Sequence, residues 1–225
     1  MHEHDSVMQV LFKDAKGKYD FVCFNGDMTS AVDSTAEIRI HYMNTASKLF
    51  ASDTPLYLCR GNHEYRGNDA IKYVDYFQTP TGKTYYSASY GKYFFLFLDS
   101  GEDKVDSDIR NLDIMMTEKY VQEEAEWLKT VVESEEYKNA EVKIAFCHIP
   151  PSPTGWYGNA TVSKYFVPLL NGTGLDLMLC AHIHKYSYRE AGKSVCDSPV
   201  LCNANKQRRD ATVDKNGIKI EIYDG

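Results

Sequence analysis

Residues 55–64 read PLYLCRGNHE, an apolar run that stops on an arginine, a glycine and three polar groups able to hold a metal or a phosphate. A short apolar run bounded by turn residues reads as a buried strand, so Asn62-His63-Glu64 falls at a strand's carboxyl end. Three further runs close in the same way. YDFVCFNGD (19–27) ends on Gly26-Asp27, EVKIAFCHIPP (141–151) reaches His148, and LDLMLCAHIH (175–184) ends on His182 and His184. In open α/β sheets the ligand site lies outside the carboxyl ends of the strands. One histidine in such a place is commonly structural, satisfied by a backbone partner. Four strand ends of one kind point to a shared site.

Between these runs the pattern turns helical, which gives an α/β domain. A helical segment is predicted from about Ser34 to Phe50, with Ser34-Thr35-Ala36-Glu37 as a variant capping box. TYYSASYGKYFFLFLDS (84–100) reads as two strands joined at Tyr-Gly-Lys, and residues 118–136 as an amphipathic helix with Tyr120, Val121, Ala125, Leu128 and Val132 on one side. The tail from Val200 to Tyr223 reads as strands turning at Lys215-Asn216-Gly217. There is no repeat, low-complexity tract or linker, so residues 1–225 are read as a single domain.

Of the 225 residues 43% are hydrophobic and 25% charged, as in ordinary globular proteins. A net charge of −7 leaves no general basic surface to grip a nucleic-acid backbone, though a local cation or metal can still hold a small phosphorylated substrate. No run approaches the roughly 20 apolar residues of a membrane span. The first ten residues lack the pattern of a signal peptide, which decides nothing about compartment if the true beginning is elsewhere. Cys23, Cys59, Cys147 and Cys180 lie in apolar runs, where free buried thiols are usual. Cys196 and Cys202 flank a turn and are read either as a pair or as free.

The donor types fit a metal. Imidazole suits zinc, iron, copper or nickel, a carboxylate and an amide oxygen suit harder cations or a mixed site, and no cysteine pair has zinc-site spacing. A carboxylate can bridge two cations about 3.5–4 Å apart, which clamp a phosphoryl group and lower the pKa of a bound water toward 7. Taken in order, Gly26-Asp27, Gly61-Asn62-His63-Glu64, His148 and His182-Ile183-His184 resemble the motifs of the calcineurin-like metallophosphoesterases. Leu98-Asp99-Ser100 and the stretch from Gln122 to Trp127-Leu128 are similar to lesser features of that family.

The resemblance implies a four-layer α/β/β/α sandwich of two mixed sheets flanked by helices. It implies two divalent or trivalent transition-metal ions (Mn, Fe or Zn) bridged by Asp27, with Asn62, His148 and His182 on one and His184 on the other. His63 would be the general acid to the leaving oxygen, Asn62 would also touch substrate, and Arg60 would reach a phosphate oxygen or make an ordinary surface ion pair. Glu64 and Asp99 would orient imidazoles. Two departures stand out: Ala181 replaces a family glycine, and Met28-Thr29-Ser30 lacks the tyrosine of the purple acid phosphatases, so their charge-transfer iron site is unsupported.

The family's first motif, Asp-x-His, normally lies about two dozen residues before Gly-Asp. His2 stands 25 positions before Asp27, which makes it that histidine and puts the aspartate one residue before Met1. The first strand is therefore expected to be missing from the chain; the alternative for His2 is a tag remnant or a solvated end. His4 and His41 have no motif partners. The function so implied is hydrolysis of a phosphomonoester or phosphodiester by a metal-activated hydroxide at a dinuclear centre. The alternative is a weakly active or non-catalytic scaffold that binds a partner; a nuclease draws little support from the acidic composition. The segment PPSPTGWYGN (150–159) is read either as a wall against the leaving group or as a packed loop, and Tyr65, Tyr73 and Tyr76 as packing. Substrate identity, oligomeric state and compartment stay open.

Overall fold

Residues 5–109, 116–214 and 216–225 are described by the structure, a computed structural model. Helix α1 (Asp5–Leu11) leads to strand β1 (Val22–Asn25) and then α2 (Thr35–Ile38), which continues as π-helical turns at Arg39–Asn44 and Ser47–Ala51. The helical segment is where the sequence puts it, but the capping box does not form. Ser34 is extended without a side-chain cap, and Glu37 Oε2 accepts instead from the Asp33 N–H at 2.9 Å. Strand β2 (Leu56–Cys59), α3 (Tyr73–Tyr76), and the hairpin of β3 (Tyr86–Tyr90) and β4 (Tyr93–Leu98) follow. Its two-residue turn has Gly91 at φ 60°, the positive φ that a tight hairpin turn requires.

The second half alternates helices with strands: α4 (Thr117–Val132), α5 (Glu135–Asn139), β5 (Val142–Cys147), α6 (Tyr157–Tyr165), α7 (Val167–Leu170) and β6 (Leu177–Cys180). Short strands β7 (Ser187–Arg189) and β8 (Val200–Cys202) precede the final hairpin of β9 (Gln207–Asp214) and β10 (Gly217–Asp224). Lys215 of that turn lies outside the described residues. The large sheet has six strands in the order β3-β4-β5-β6-β8-β7, parallel from β4 to β8 and antiparallel at both edges. Strands β1 and β2 pair in parallel, and β9–β10 form a separate antiparallel ribbon.

Alternation along the strands builds the layers, because successive side chains leave a strand on opposite faces. On β4, Phe94, Leu96 and Leu98 join Val121, Leu128, Val162 and Phe166 of the helices, while Phe95 and Phe97 face inward with Phe146 and Leu201. Phe97 lies between Tyr86 and Phe146, its ring centroid 4.7 and 5.1 Å from theirs. On β1, Val22 and Phe24 turn outward to Leu11, Phe12, Tyr42 and Phe50, and Cys23 turns inward. Helices, strands, strands and helices thus stack as four layers. All six cysteines are free, Cys196 and Cys202 included.

The second strand layer is in two pieces. A cavity of about 740 Å³ separates β1 from β9, lined by consecutive residues of each: Val22 to Asn25 and Gln207 to Val213. Consecutive rather than alternate lining means that strand edges, not faces, border it. Neither edge is paired within the sheets formed by the described residues.

Candidate metal centre

Every donor singled out in the described sequence leaves the carboxyl end of a parallel strand. Asp27 follows β1 through Gly26, Asn62 follows β2 through Gly61, His148 follows β5 directly, and His182 and His184 follow β6. Three of them sit in the left-handed region: Asp27 at φ 54°, His182 at 64° and His184 at 56°. A side chain there is strained by about 1 kcal/mol or more and persists only where its surroundings hold it. Two glycines make the close approach possible. A Cβ on Gly26 would lie 2.5 Å from His148 Nδ1, and one on Gly61 2.3 Å from Asp27 Oδ1.

The structure brings Asp27, His148 and His182 together, with one ligand atom from each inside a 4.8 Å cluster. His148 Nε2 is 3.1 Å from Asp27 Oδ2. Its Nδ1 donates to the Asn25 carbonyl at 2.6 Å, which fixes the tautomer and leaves Nε2 as the lone-pair atom. His182 Nδ1 contacts Asn62 Oδ1 at 3.0 Å, so Nε2 is again the open nitrogen. Both Nε2 atoms are buried; His182 Nε2 has no hydrogen-bond partner, and His148 Nε2 has only the Asp27 carboxylate beside it. Buried polar atoms are normally satisfied; two imidazole nitrogens and a carboxylate converging this way fit a transition-metal ion.

The charge states of Asp27 and His182 agree with that fit, whereas His148 is held toward its charged form by Asp27. Burial opposes ionisation of Asp27, but the adjacent His148 overrides it and holds the carboxyl well below its usual range. Burial would lower His148, and the Asp27 charge outweighs it and raises the imidazole. Burial, aided by His148, pulls His182 down to about 4, so it stays an uncharged donor at neutral pH. Burial also lowers His184, which lines the same cavity just outside the three-residue cluster.

His63 takes a different position. Its N–H donates to Asp27 Oδ1 at 3.0 Å, and its Nδ1 to the Ser30 carbonyl at 2.9 Å. The ring is 25% exposed with Nε2 4.0 Å from Asp27 Oδ2, placing it at the open side of the cluster. Trp156, the exposed aromatic of the segment 150–159, has its ring perpendicular to that of His182 at 5.1 Å. His2 and His4 lie outside the described residues; His41 sits in the π-helical turn, away from the cluster.

Arg60 is placed otherwise than expected. It is buried, donates to Asp99 Oδ2 at 2.7 Å and stacks on Tyr65 at 3.7 Å. It is neither a surface pair nor directed at the cluster. The imidazoles are oriented by main-chain carbonyls and by Asn62 rather than by Glu64 and Asp99. Glu64, wholly buried, accepts from the N–H groups of Asp27, Met28, Thr29 and Gly61 and from the Tyr42 hydroxyl. Asp99 binds Arg60, Tyr65, Thr84 and the Gly101 N–H. One residue at the site carried no sequence signal at all: Arg66, whose guanidinium lies against His63.

A four-layer sandwich with aspartate and histidines at its strand ends defines a metallophosphoesterase architecture, and the sequence comparison agrees. The chain belongs to the calcineurin-like phosphoesterase family, whose model matches residues 1–186. Membership supports metal-dependent phosphoester hydrolysis as the general chemistry of the fold. No curated protein sequence matches the chain.

Among solved structures, purple acid phosphatase PPD1 of yellow lupin (Lupinus luteus) is similar over 88% of this chain and 38% of its own, at 16% identity and a TM-score of 0.58. GAP50, the anchor in the inner membrane complex of Plasmodium, is similar over 98% of this chain and 78% of its own (12% identity, TM-score 0.59). Sulfate thiohydrolase SoxB of Thermus thermophilus is similar over 96% and 41% (15% identity, TM-score 0.54). These likenesses concern the fold, and the chain spans well under half of the first and third. No helix among the described residues is long and apolar enough to cross a membrane.

Proposed function

We propose that the protein hydrolyses phosphate esters, mono- or diesters, at a dinuclear transition-metal centre. The observation that carries this reading is the buried cluster of Asp27, His148 and His182, in which His148 Nε2 faces the Asp27 carboxylate and His182 Nε2 has no hydrogen-bond partner. Asp27, Asn62, His148 and His182 would hold one ion, and Asp27 and His184, with His2, the other. The chemistry supplied there would be polarisation of a phosphoryl oxygen and activation of water as a nucleophile.

The chain's own groups supply the rest. The Asn25 carbonyl and Asn62 keep both imidazoles in the tautomer that presents Nε2. His63, whose Nδ1 donates to the Ser30 carbonyl, would give a proton to the leaving oxygen from Nε2. Trp156 walls the side where the ester group would lie.

The test is metal analysis and turnover of aryl phosphate monoesters and diesters with Mn²⁺, Zn²⁺ or Fe. Bound metal with turnover lost in His63→Ala is expected; a His63→Ala variant with full activity overturns its assigned role. The edges of β1 and β9 left unpaired among the described residues face each other across the 740 Å³ cavity.

That gap also favours a second reading, a phosphoesterase scaffold that binds a partner. GAP50 has this fold and is an anchor. Absence of any bound transition metal would favour that reading over hydrolysis.

A further inference from the structure

Arg60 is turned into the core, yet the site does have an arginine at its lip. Arg66 is pinned at both main-chain polar groups: its N–H donates to the His63 carbonyl at 3.0 Å, and its carbonyl accepts from the Val32 N–H at 2.7 Å. Its guanidinium is mounted as firmly. Nε donates to Glu102 Oε2 at 3.0 Å and Nη2 to Glu102 Oε1 at 2.8 Å, a bidentate fork, while Nη2 also reaches Asp103 Oδ1 at 3.1 Å. The loop bearing these carboxylates is itself wedged, since a Cβ on Gly158 of α6 would lie 3.1 Å from Asp103 Cα.

That mounting engages three of the five N–H donors of the guanidinium. The remaining two belong to Nη1, which meets no carboxylate. Nη1 lies 3.4 and 3.3 Å from the two ring nitrogens of His63, so it addresses the imidazole as a whole rather than one lone pair. His63 in turn looks onto Asp27. The Arg66 side chain remains 30% exposed, although Glu102 opposite it has no exposure. A cation held by a buried carboxylate, with its outer nitrogen beside the proposed proton donor, is built to meet an anion.

We propose that Arg66 Nη1 grips a non-bridging oxygen of the substrate's phosphoryl group, with Glu102 and Asp103 as its rigid mount. The inference rests on the phosphate-ester reading above and names the residue that holds the group while His63 faces the leaving oxygen.

Binding of inorganic phosphate to the Mn²⁺-loaded chain, measured by titration calorimetry, tests it. Arg66→Lys keeps the charge and loses the fork. Arg66→Gln/Glu102→Gln removes the bidentate pair together, and Asp103 keeps Lys104 as its partner, so no carboxylate of the mount is left unpaired. The double variant is expected to weaken phosphate binding about ten- to a hundredfold with metal content unchanged, and Arg66→Lys by less. Phosphate binding within twofold of wild type in the folded double variant overturns the proposal, as does a metal-loaded wild type that binds no phosphate. Turnover of p-nitrophenyl phosphate, followed in parallel, separates the two readings. Arg66-dependent phosphate binding without turnover removes the hydrolytic reading and leaves this one. Turnover with unchanged KM in both variants removes this one and leaves the hydrolytic reading.

Discussion

Glu64→Gln is the sharpest probe of what holds Asp27 in place. The substitution changes neither size nor shape, but turns one acceptor oxygen into an NH₂ donor. Oε2 accepts from the Asp27 and Gly61 N–H groups, each at 2.9 Å, and Oε1 from Met28 at 2.7 Å, Thr29 at 3.3 Å and the Tyr42 hydroxyl at 2.5 Å. Whichever end becomes the amide nitrogen, at least two buried main-chain N–H groups lose their acceptor and face another donor. Each such orphan costs about 1–3 kcal/mol, so a loss of about 2–6 kcal/mol is expected. With a urea slope of about 3 kcal/mol/M, the unfolding midpoint should fall by about 0.7–2 M. Metal affinity should fall too, because the Asp27 turn is what Glu64 braces. A midpoint within about 0.3 M of wild type, by circular dichroism in urea, together with unchanged metal affinity, would refute this account of Glu64.

Two further outcomes follow from the same region and its surroundings. Gly61→Ala places a methyl 2.3 Å from Asp27 Oδ1 and 2.4 Å from its nitrogen; about 1–3 kcal/mol of lost stability and a marked drop in bound metal are expected, and unchanged metal content would show that the turn can yield. Glu124 is wholly buried, which pushes its carboxyl well above the usual 4.5, and its Oε2 has no partner while Oε1 accepts from the Asp99 N–H. With the folded pKa raised above the unfolded one, its stabilising contribution is complete below about pH 4.5 and drains as pH rises through the folded pKa. Glutamine keeps the Oε1 acceptor and cannot ionise, so Tm of Glu124→Gln should match wild type in acid and exceed it increasingly toward neutral pH; a constant difference from acid to neutral pH would contradict this.

Strand ends were legible because two signals coincide at each: an apolar run and an abrupt polar stop. That is why Asp27, His148 and His182 could be grouped before any geometry was known. The direction of a side chain one residue before such a stop is not in the pattern. Arg60 immediately follows β2 and turns inward, where Asp99 and Tyr65 receive it. The partners of Glu64 are main-chain N–H groups, which no residue identity announces. Arg66 depends on a loop 36 positions further along the chain, so nothing local could flag it. The π-helical turns after α2 likewise follow an ordinary helical periodicity.

The left-handed backbone of Asp27, His182 and His184 has a consequence for anyone who engineers this fold. Glycine would relax each position, so selection for heat resistance alone would draw these three sites toward glycine. Each gain in robustness there would delete a donor atom. Thermal screens should therefore hold these positions fixed, and an independent lineage found to keep side chains at all three would be advertising that it still uses them.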